Sequence, residues 1–240
     1  MKKRPPKAAQ RDLSVRSAVL SVLLGAHPEV ISPSRLVEAA AFFDMSESGV
    51  RVALTRAVAS GDLRRTKDGY ALGERLLKRQ QRQAEAVAPD PSAWDGLWET
   101  AIVVAAGRSV AERSSLRLLL AEHRLAELRE GVWLRPANLA REPRYVDHPD
   151  LTVCETRHST PRDLAEVLWD LGGWDDTGRQ ILTELDSAEK PLERLAVAAR
   201  MVHHLASDPI LPHELLPATW VGGELRAAYA AYQQELRHLA

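Results

Sequence analysis

The sequence predicts an α+β chain in three parts, and three observations carry the prediction. Ala, Leu, Arg and Glu dominate the 240 residues, a composition that favours helix. The first ninety residues hold three helical periods and then a hairpin signal, and the next eighty mix strand-like apolar runs with helical ones. From about Asp175 onward only helical periodicity remains. Hydrophobic residues at 45% and charged residues at 27% are the values of a folded globular chain.

Charge and composition set the boundaries. The net charge of -1 hides an asymmetry: residues 1–88 carry sixteen Lys and Arg against nine Asp and Glu, and the remainder sixteen against twenty-four. A basic first third points to a polyanionic partner. All six Trp lie at or after Trp94, and "APDPSA" breaks the chain just before it. The parts are therefore a basic tail (1–13), a helix-and-hairpin domain with a linker helix (14–87), a mixed middle domain (94–174) and a helical end (175–240). "MKKRPPK" followed by "AVLSVLLGA" imitates a signal peptide, but Asp12 and Arg16 interrupt the approach and no A-x-A site follows. No run is long enough to span a bilayer, so a cytoplasmic protein without membrane partners is expected.

In the first domain, Val15, Ala18, Val19, Val22 and Leu23 recur at the spacing of an amphipathic helix. A turn-rich loop follows; Ser34 is placed to cap a second helix carrying Leu36, Val37, Ala40 and Phe43 on one face. Asp44 and Ser46 are both N-cap candidates for a third helix, and with Asp44 as cap Glu47 completes a capping box. In that helix Val50, Ala53, Leu54, Ala57 and Val58 face one way, and Ser48, Arg51, Val52 and Thr55 the other, with Arg56 at the edge. Ser60-Gly61 ends it. "DLRRTKDGYAL" then reads as two short strands about a Lys-Asp-Gly turn.

Three short helices followed by a hairpin make a winged helix-turn-helix, whose third helix enters the DNA major groove. Arg51 offers a bidentate fork to guanine, Thr55 either a hydroxyl or a methyl contact and Val52 a contact to a thymine methyl, with Ser48 at the same end of the helix. Arg64, Arg65 and Lys67 on the hairpin suit phosphate contacts, with Arg56 at the edge of the helix face that carries Arg51. Double-stranded DNA is the expected partner. The other use of such a domain is a scaffold binding proteins, which would not need the basic balance.

In the middle domain, residues 98–105 read as a buried strand, and Ser109 with Glu112 caps a long helix reaching about residue 128. "GVWLRP" and "LTVCETR" read as strands, and Thr160-Pro161 opens a further helix. The order β-α-β-β-α is most of a ferredoxin-like unit, with no last strand evident after Gly172-Gly173. Cys154, the lone cysteine, reads as a buried inert thiol.

Catalytic signals are weak. "GRSVA" (107–111) only approximates a nucleophile elbow, and a hydrolase acting on esters would need a paired His and Asp that the chain does not offer. "PHELLP" has Pro217 where a zincin needs its second His, and His203-His204 are adjacent and so diverge on a helix. Ferredoxin-like nucleases place an acid at the end of the first strand, where this chain has "VVAAGR". No enzyme activity, metal or cofactor is expected.

"WDGLW", "GVWLRP" and above all "DPILPHELLPATW" (Asp208 to Trp220), behind a winged helix, resemble the PaaX family of bacterial transcriptional regulators from about residue 14 to 237. The resemblance implies a homodimeric repressor of aromatic-acid catabolism that leaves its operator on binding an aryl- or acyl-CoA thioester such as phenylacetyl-CoA. "MVHHLASDP" departs from the family's His-x-x-Arg stretch before the Asp-Pro. An acyl-CoA wants cations for its phosphates and an aromatic-lined pocket, for which Trp133, Arg135, Arg157 and Trp169 are candidates; the same tryptophans also fit core positions and the arginines surface ones.

Overall fold

A computed structural model of the chain describes residues 15–89, 91–141 and 143–239; the tail expected at 1–13 lies outside them. The structure is a mixed α+β one that divides into two compact units. The first runs to Val87 and includes Ile181–Ala206 and the chain from Leu225 on; the second comprises Ala88–Gln180 and Ser207–Glu224. Residues 175–240, read from the sequence as one helical part, are shared between them.

The first unit begins with three helices, α1 (Val15–Ala26), α2 (Pro33–Ala41) and α3 (Glu47–Ala59). Helices this short are marginal alone. They persist because each buries one face: Ala18, Val19, Val22 and Leu23 of α1 meet Leu36 and Ala40 of α2 and Val50, Leu54 and Ala57 of α3. Full burial of one such Val or Leu is worth about 1.5–3 kcal/mol. Helix α4 (Glu74–Val87), α8 (Pro191–Ala206) and the end of α9 (Gly222–Leu239) belong to the same unit, with Leu195, Ala198, Tyr232 and Leu236 in its core.

The caps correct one expectation and decide between two candidates. Ser32, not Ser34, caps α2, accepting from Arg35 N at 3.3 Å. Pro33 has no N–H to offer and a φ suited to the first helical position, so the cap falls on the residue before it. Ser46 caps α3 by accepting from Gly49 N at 3.2 Å, which makes Glu47 the first helical residue rather than a capping-box partner of Asp44. Asp44 instead turns the chain with φ 58°.

Ser60 and Gly61 (φ 72°) end α3 as expected. Strands β1 (Leu63–Arg65) and β2 (Tyr70–Leu72) pair antiparallel, Leu63 opposite Leu72 and Arg65 opposite Tyr70. Thr66 N donates to Gly69 O to close the turn, and Ile31 exchanges both backbone bonds with Tyr70. A Cβ on Gly69 would meet the Ile31 carbonyl, so the hairpin and the α1–α2 loop approach only because that residue is glycine.

The second unit holds β3 (Trp98–Val103), α5 (Val110–Glu122), β4 (Ala126–Arg129), β5 (Val132–Pro136), β6 (Leu151–Thr156), α6 (Pro161–Leu168) and the start of α7 (Leu171–Ser187). Its sheet has the order β4-β5-β3-β6, with every neighbouring pair antiparallel. Ser109 and Glu112 form the expected capping box, but the helix stops at Glu122 and residues expected to continue it form β4. Arg124 takes φ 60° and Leu125 N donates to Leu120 O, so a non-glycine residue makes the terminating turn. Pro161 opens α6, whereas Thr160 makes no side-chain capping bond. Gly172 and Gly173 lie inside α7.

Ala101, Leu116, Leu120, Trp133 and Tyr145 build one core cluster of this unit. Trp98, Leu134, Ala165, Leu171, Leu211 and Leu215 build another, which takes in the Asp208–Trp220 segment. Asp208 Oδ1 accepts from Ile210 N, Leu211 and Leu215 are buried, and a single 3-10 turn spans His213–Leu215. Trp220 stacks on Trp174 with ring centroids 4.3 Å apart. The segment is a structural strap.

Candidate nucleic-acid interface

The residues that pack α3 into its core decide what it presents outward. With Val50, Ala53, Leu54 and Ala57 buried, Ser48, Arg51, Val52, Thr55 and Arg56 are all exposed. Val52 is 49% exposed, a cost in water for a β-branched apolar side chain at a helix surface. Thr55 Oγ1 donates to the Arg51 carbonyl at 2.9 Å, which engages its hydroxyl proton on the helix itself. Ser48 and Ser46 share a hydroxyl contact of 3.3 Å. On the hairpin, Arg64, Arg65 and Lys67 are exposed as well. The structure thus brings all eight sequence-predicted residues to the surface of the first unit.

Glu47 was not among them. It forms an ion pair with Arg51 one turn on, with Arg51 Nε and Nη2 donating to Glu47 Oε1 at 2.9 and 2.5 Å. The i, i+4 Glu-Arg spacing was legible in the sequence, but assigning Glu47 to a capping box hid it.

Asp62, in the corner between α3 and the hairpin, is also new. It is 1% exposed and accepts from Arg16 of α1, from Arg75 of α4 and from Ser60 Oγ at 2.8 Å. Burial alone would raise its pKa, but the bonds from Ser60, Arg75 and Arg16 together hold the carboxyl below its ordinary range. One buried carboxylate therefore ties the first helix and the linker helix to the base of the hairpin that carries Arg64 and Arg65.

The ligand candidates fare differently from one another. Trp133 lines a cavity of about 450 Å³ in the second unit, together with Val103, Val110, Leu116 and the arginines 108, 113 and 117. Arg117 lies over the Trp133 ring at 5.9 Å and pairs with Glu127. Arg108 Nη1 is buried without a hydrogen-bond partner.

Arg135 is not at this cavity's lining. It is 0% exposed and donates to Pro136 O, Asn138 Oδ1 and, at 3.5 Å, Ile210 O, while Asn138 donates to the same Ile210 carbonyl. Burial lowers its pKa to about 9, so it remains charged at neutral pH. It holds the 208–220 strap and is closed to a ligand's phosphates. Arg157 donates to the Asp95 carbonyl at 2.6 Å and sits where a Cβ on Gly96 would be, and Trp169 stacks on Trp98 at 6.5 Å. The four candidates do not converge.

Ser109 is spent on its capping box, which accounts for "GRSVA". Cys154 lies in β6 as expected but is exposed, not buried: alternation sends it to the opposite sheet face from Val153, which packs on the core. His203 is exposed and His204 half-buried on α8. Among the described residues no group of three His, Cys, Asp or Glu could hold a metal ion, and no helix is long and apolar enough to cross a membrane.

Residues 14–76 match the family model described as PaaX-like protein, and residues 163–240 that of the PaaX-like protein C-terminal domain. Among solved structures, the uncharacterized protein Rv0674 from Mycobacterium tuberculosis is similar over 95% of this chain and 97% of its own, with 45% identity and a TM-score of 0.86. No curated protein matches.

Proposed function

The chain belongs to the PaaX-like family of transcriptional regulators, and from that premise we propose that it is a sequence-specific DNA-binding repressor released by an effector. The observation that carries this reading is the exposed surface formed by Ser48, Arg51, Val52, Thr55 and Arg56 on α3 with Arg64, Arg65 and Lys67 on the hairpin. We read α1–α3 with β1–β2 as a winged helix-turn-helix in which α3 is the recognition helix. The β4-β5-β3-β6 sheet, with a helix between its first two strands in chain order, is read as ferredoxin-like, a loop replacing the second helix.

Acting as a homodimer, the protein would place two α3 helices in successive major grooves of a palindromic operator. The effector is proposed to be an aryl- or acyl-CoA thioester. The cavity on Trp133 supports a small-molecule site: its size lies in the usual range for ligand pockets, and it sets arginines beside an aromatic wall. Occupancy would shift the dimer toward a helix spacing that no longer fits DNA, and by linkage DNA must weaken effector binding by the same factor. The role is regulatory rather than enzymatic.

Fluorescence anisotropy with the promoter upstream of the protein's own gene tests this, across a salt series and with phenylacetyl-CoA and other acyl-CoA esters. Tight, salt-sensitive binding abolished by one ester is the expected result. With Arg56, Arg64, Arg65 and Lys67 each meeting a phosphate in both subunits, a dimer would have a log–log salt slope of roughly -7. Weak binding that is indifferent to salt would overturn the DNA reading in favour of a protein-binding scaffold. Tight binding indifferent to every ester would remove the effector class.

A further inference from the structure

Resting on the DNA reading above, we infer that Glu47 is a specificity-determining partner of Arg51 that aims the Arg51 guanidinium at guanine and itself addresses the neighbouring cytosine. Glu47 is the first residue of α3, 58% exposed, and lies one turn before Arg51 and about 40° from it around the helix. Arg51 is 73% exposed and gives both Nε and Nη2 to a single oxygen, Glu47 Oε1. That contact occupies the inner side of the guanidinium fork. The outer edge, Nη1 with the second N–H of Nη2, is the pair that matches guanine O6 and N7.

Glu47 is the one acid of α3, set beside the exposed cations Arg51 and Arg56, while on the hairpin Asp68 lies next to Lys67. A carboxylate there repels every phosphate, so it weakens binding to DNA in general. A local role, complementing the helix N-terminus and pairing at i, i+4, would stabilise the helix only slightly. Two chemical consequences distinguish it from that role. Its second oxygen, Oε2, is an acceptor suited to a cytosine N4 amino group. Its charge also keeps Arg51 from swinging to a phosphate, where the guanidinium would bind without reading sequence. The pair thus trades general affinity for discrimination.

The test uses the full-length protein, a duplex obtained with it by selection from a random library, and a scrambled duplex of equal length. Binding constants are measured at fixed salt for wild type, Glu47→Gln, Glu47→Asp, Arg51→Ala and the Glu47→Gln/Arg51→Ala double variant, with thermal melts alongside. Glu47→Gln should lower the selected-to-scrambled affinity ratio about tenfold, mainly by tightening binding to the scrambled duplex. In the Arg51→Ala background the same change should move the ratio less than twofold. Glu47→Asp, too short to hold the fork, should behave like Glu47→Gln. A Glu47→Gln ratio within twofold of wild type, with a shifted melt, would overturn the inference and leave only helix capping. Wild-type protein that does not distinguish the two duplexes would overturn the DNA reading, and this inference with it.

Discussion

Replacing Asp62 by Ala should destabilise the first unit, and the structure sets the size. The carboxylate is 1% exposed and accepts from Ser60 Oγ, Arg16 and Arg75. A hydrogen bond to a charged group contributes about 1.5–3 kcal/mol when both partners are sheltered. The two guanidinium groups are not: Arg16 is 44% exposed and Arg75 69%, so both regain water when released. Each pair is therefore discounted to about 1 kcal/mol. With roughly 1 kcal/mol for the Ser60 bond, the loss is about 2–3 kcal/mol. For a urea dependence of about 2 kcal/mol/M this lowers the midpoint by roughly 1 M.

The distribution of tryptophan makes the assay local. All six Trp lie in the second unit, so intrinsic fluorescence follows that unit, while far-UV circular dichroism follows both. Asp62→Ala should shift the circular dichroism transition and leave the fluorescence transition in place. Because the folded pKa is depressed, the stabilisation is present above the unfolded carboxylate pKa of about 4 and is lost as pH falls through the lower folded value. The gap between wild type and Asp62→Asn should therefore narrow below about pH 4. A circular dichroism midpoint unchanged at neutral pH, or a gap that widens in acid, would refute this role of Asp62.

Arg135→Ala should cost about 3 kcal/mol, because it strips a charged donor from the Pro136 carbonyl and from Asn138 Oδ1 inside the second unit, while Asn138 still serves the Ile210 carbonyl; here the fluorescence transition should shift. On DNA, Arg51→Ala should lose roughly 1–3 kcal/mol on the selected duplex with relaxed base preference, whereas Arg65→Ala should weaken all duplexes alike and lower the salt slope; affinity series across sequences and salt separate the two. Trp133→Ala should weaken any ester that releases DNA by more than tenfold while leaving DNA affinity unchanged, as read by titrating the ester into the preformed complex. Cys154 should react with a thiol reagent in the native protein, since it is exposed; one fast equivalent by absorbance is the expected result.

The first unit was legible because its signals are local. Period-3.6 apolar faces, Ser-Gly at the end of α3 and Lys-Asp-Gly in the hairpin each act within a few residues, and the outward face of α3 follows from the inward one. The one error there was a two-residue shift of the α2 cap from Ser34 to Ser32, decided by Pro33, while at α3 two candidates competed and Ser46 prevailed over Asp44. The second unit was less legible because its decisive contacts are remote. "RLAEL" has strong helix formers and continues the period of α5, so propensity extends the helix. The chain instead turns at Arg124, whose guanidinium bonds the Asp208 carbonyl 84 residues later, and a strand pairing then outweighs propensity.

Arg135 shows the same physics from the other side. Alternation on β5 correctly places Trp133 and Arg135 on one face, and an arginine beside a tryptophan suggests a ligand's phosphate. Which face is covered, and by what, depends on a strap 75 residues away whose carbonyls need donors. A buried guanidinium is costly unless its N–H groups meet acceptors; Nε and Nη2 of Arg135 do, the turn at Ile210 with φ 52° presenting one of the carbonyls, whereas Nη1 is buried without a partner. The Asp208–Trp220 sequence and Arg135 are therefore two halves of one structural device. The part of the chain that most strongly marks the family is then one that shapes the second unit, while under the proposed function sequence preference for DNA would rest on the few exposed side chains of α3.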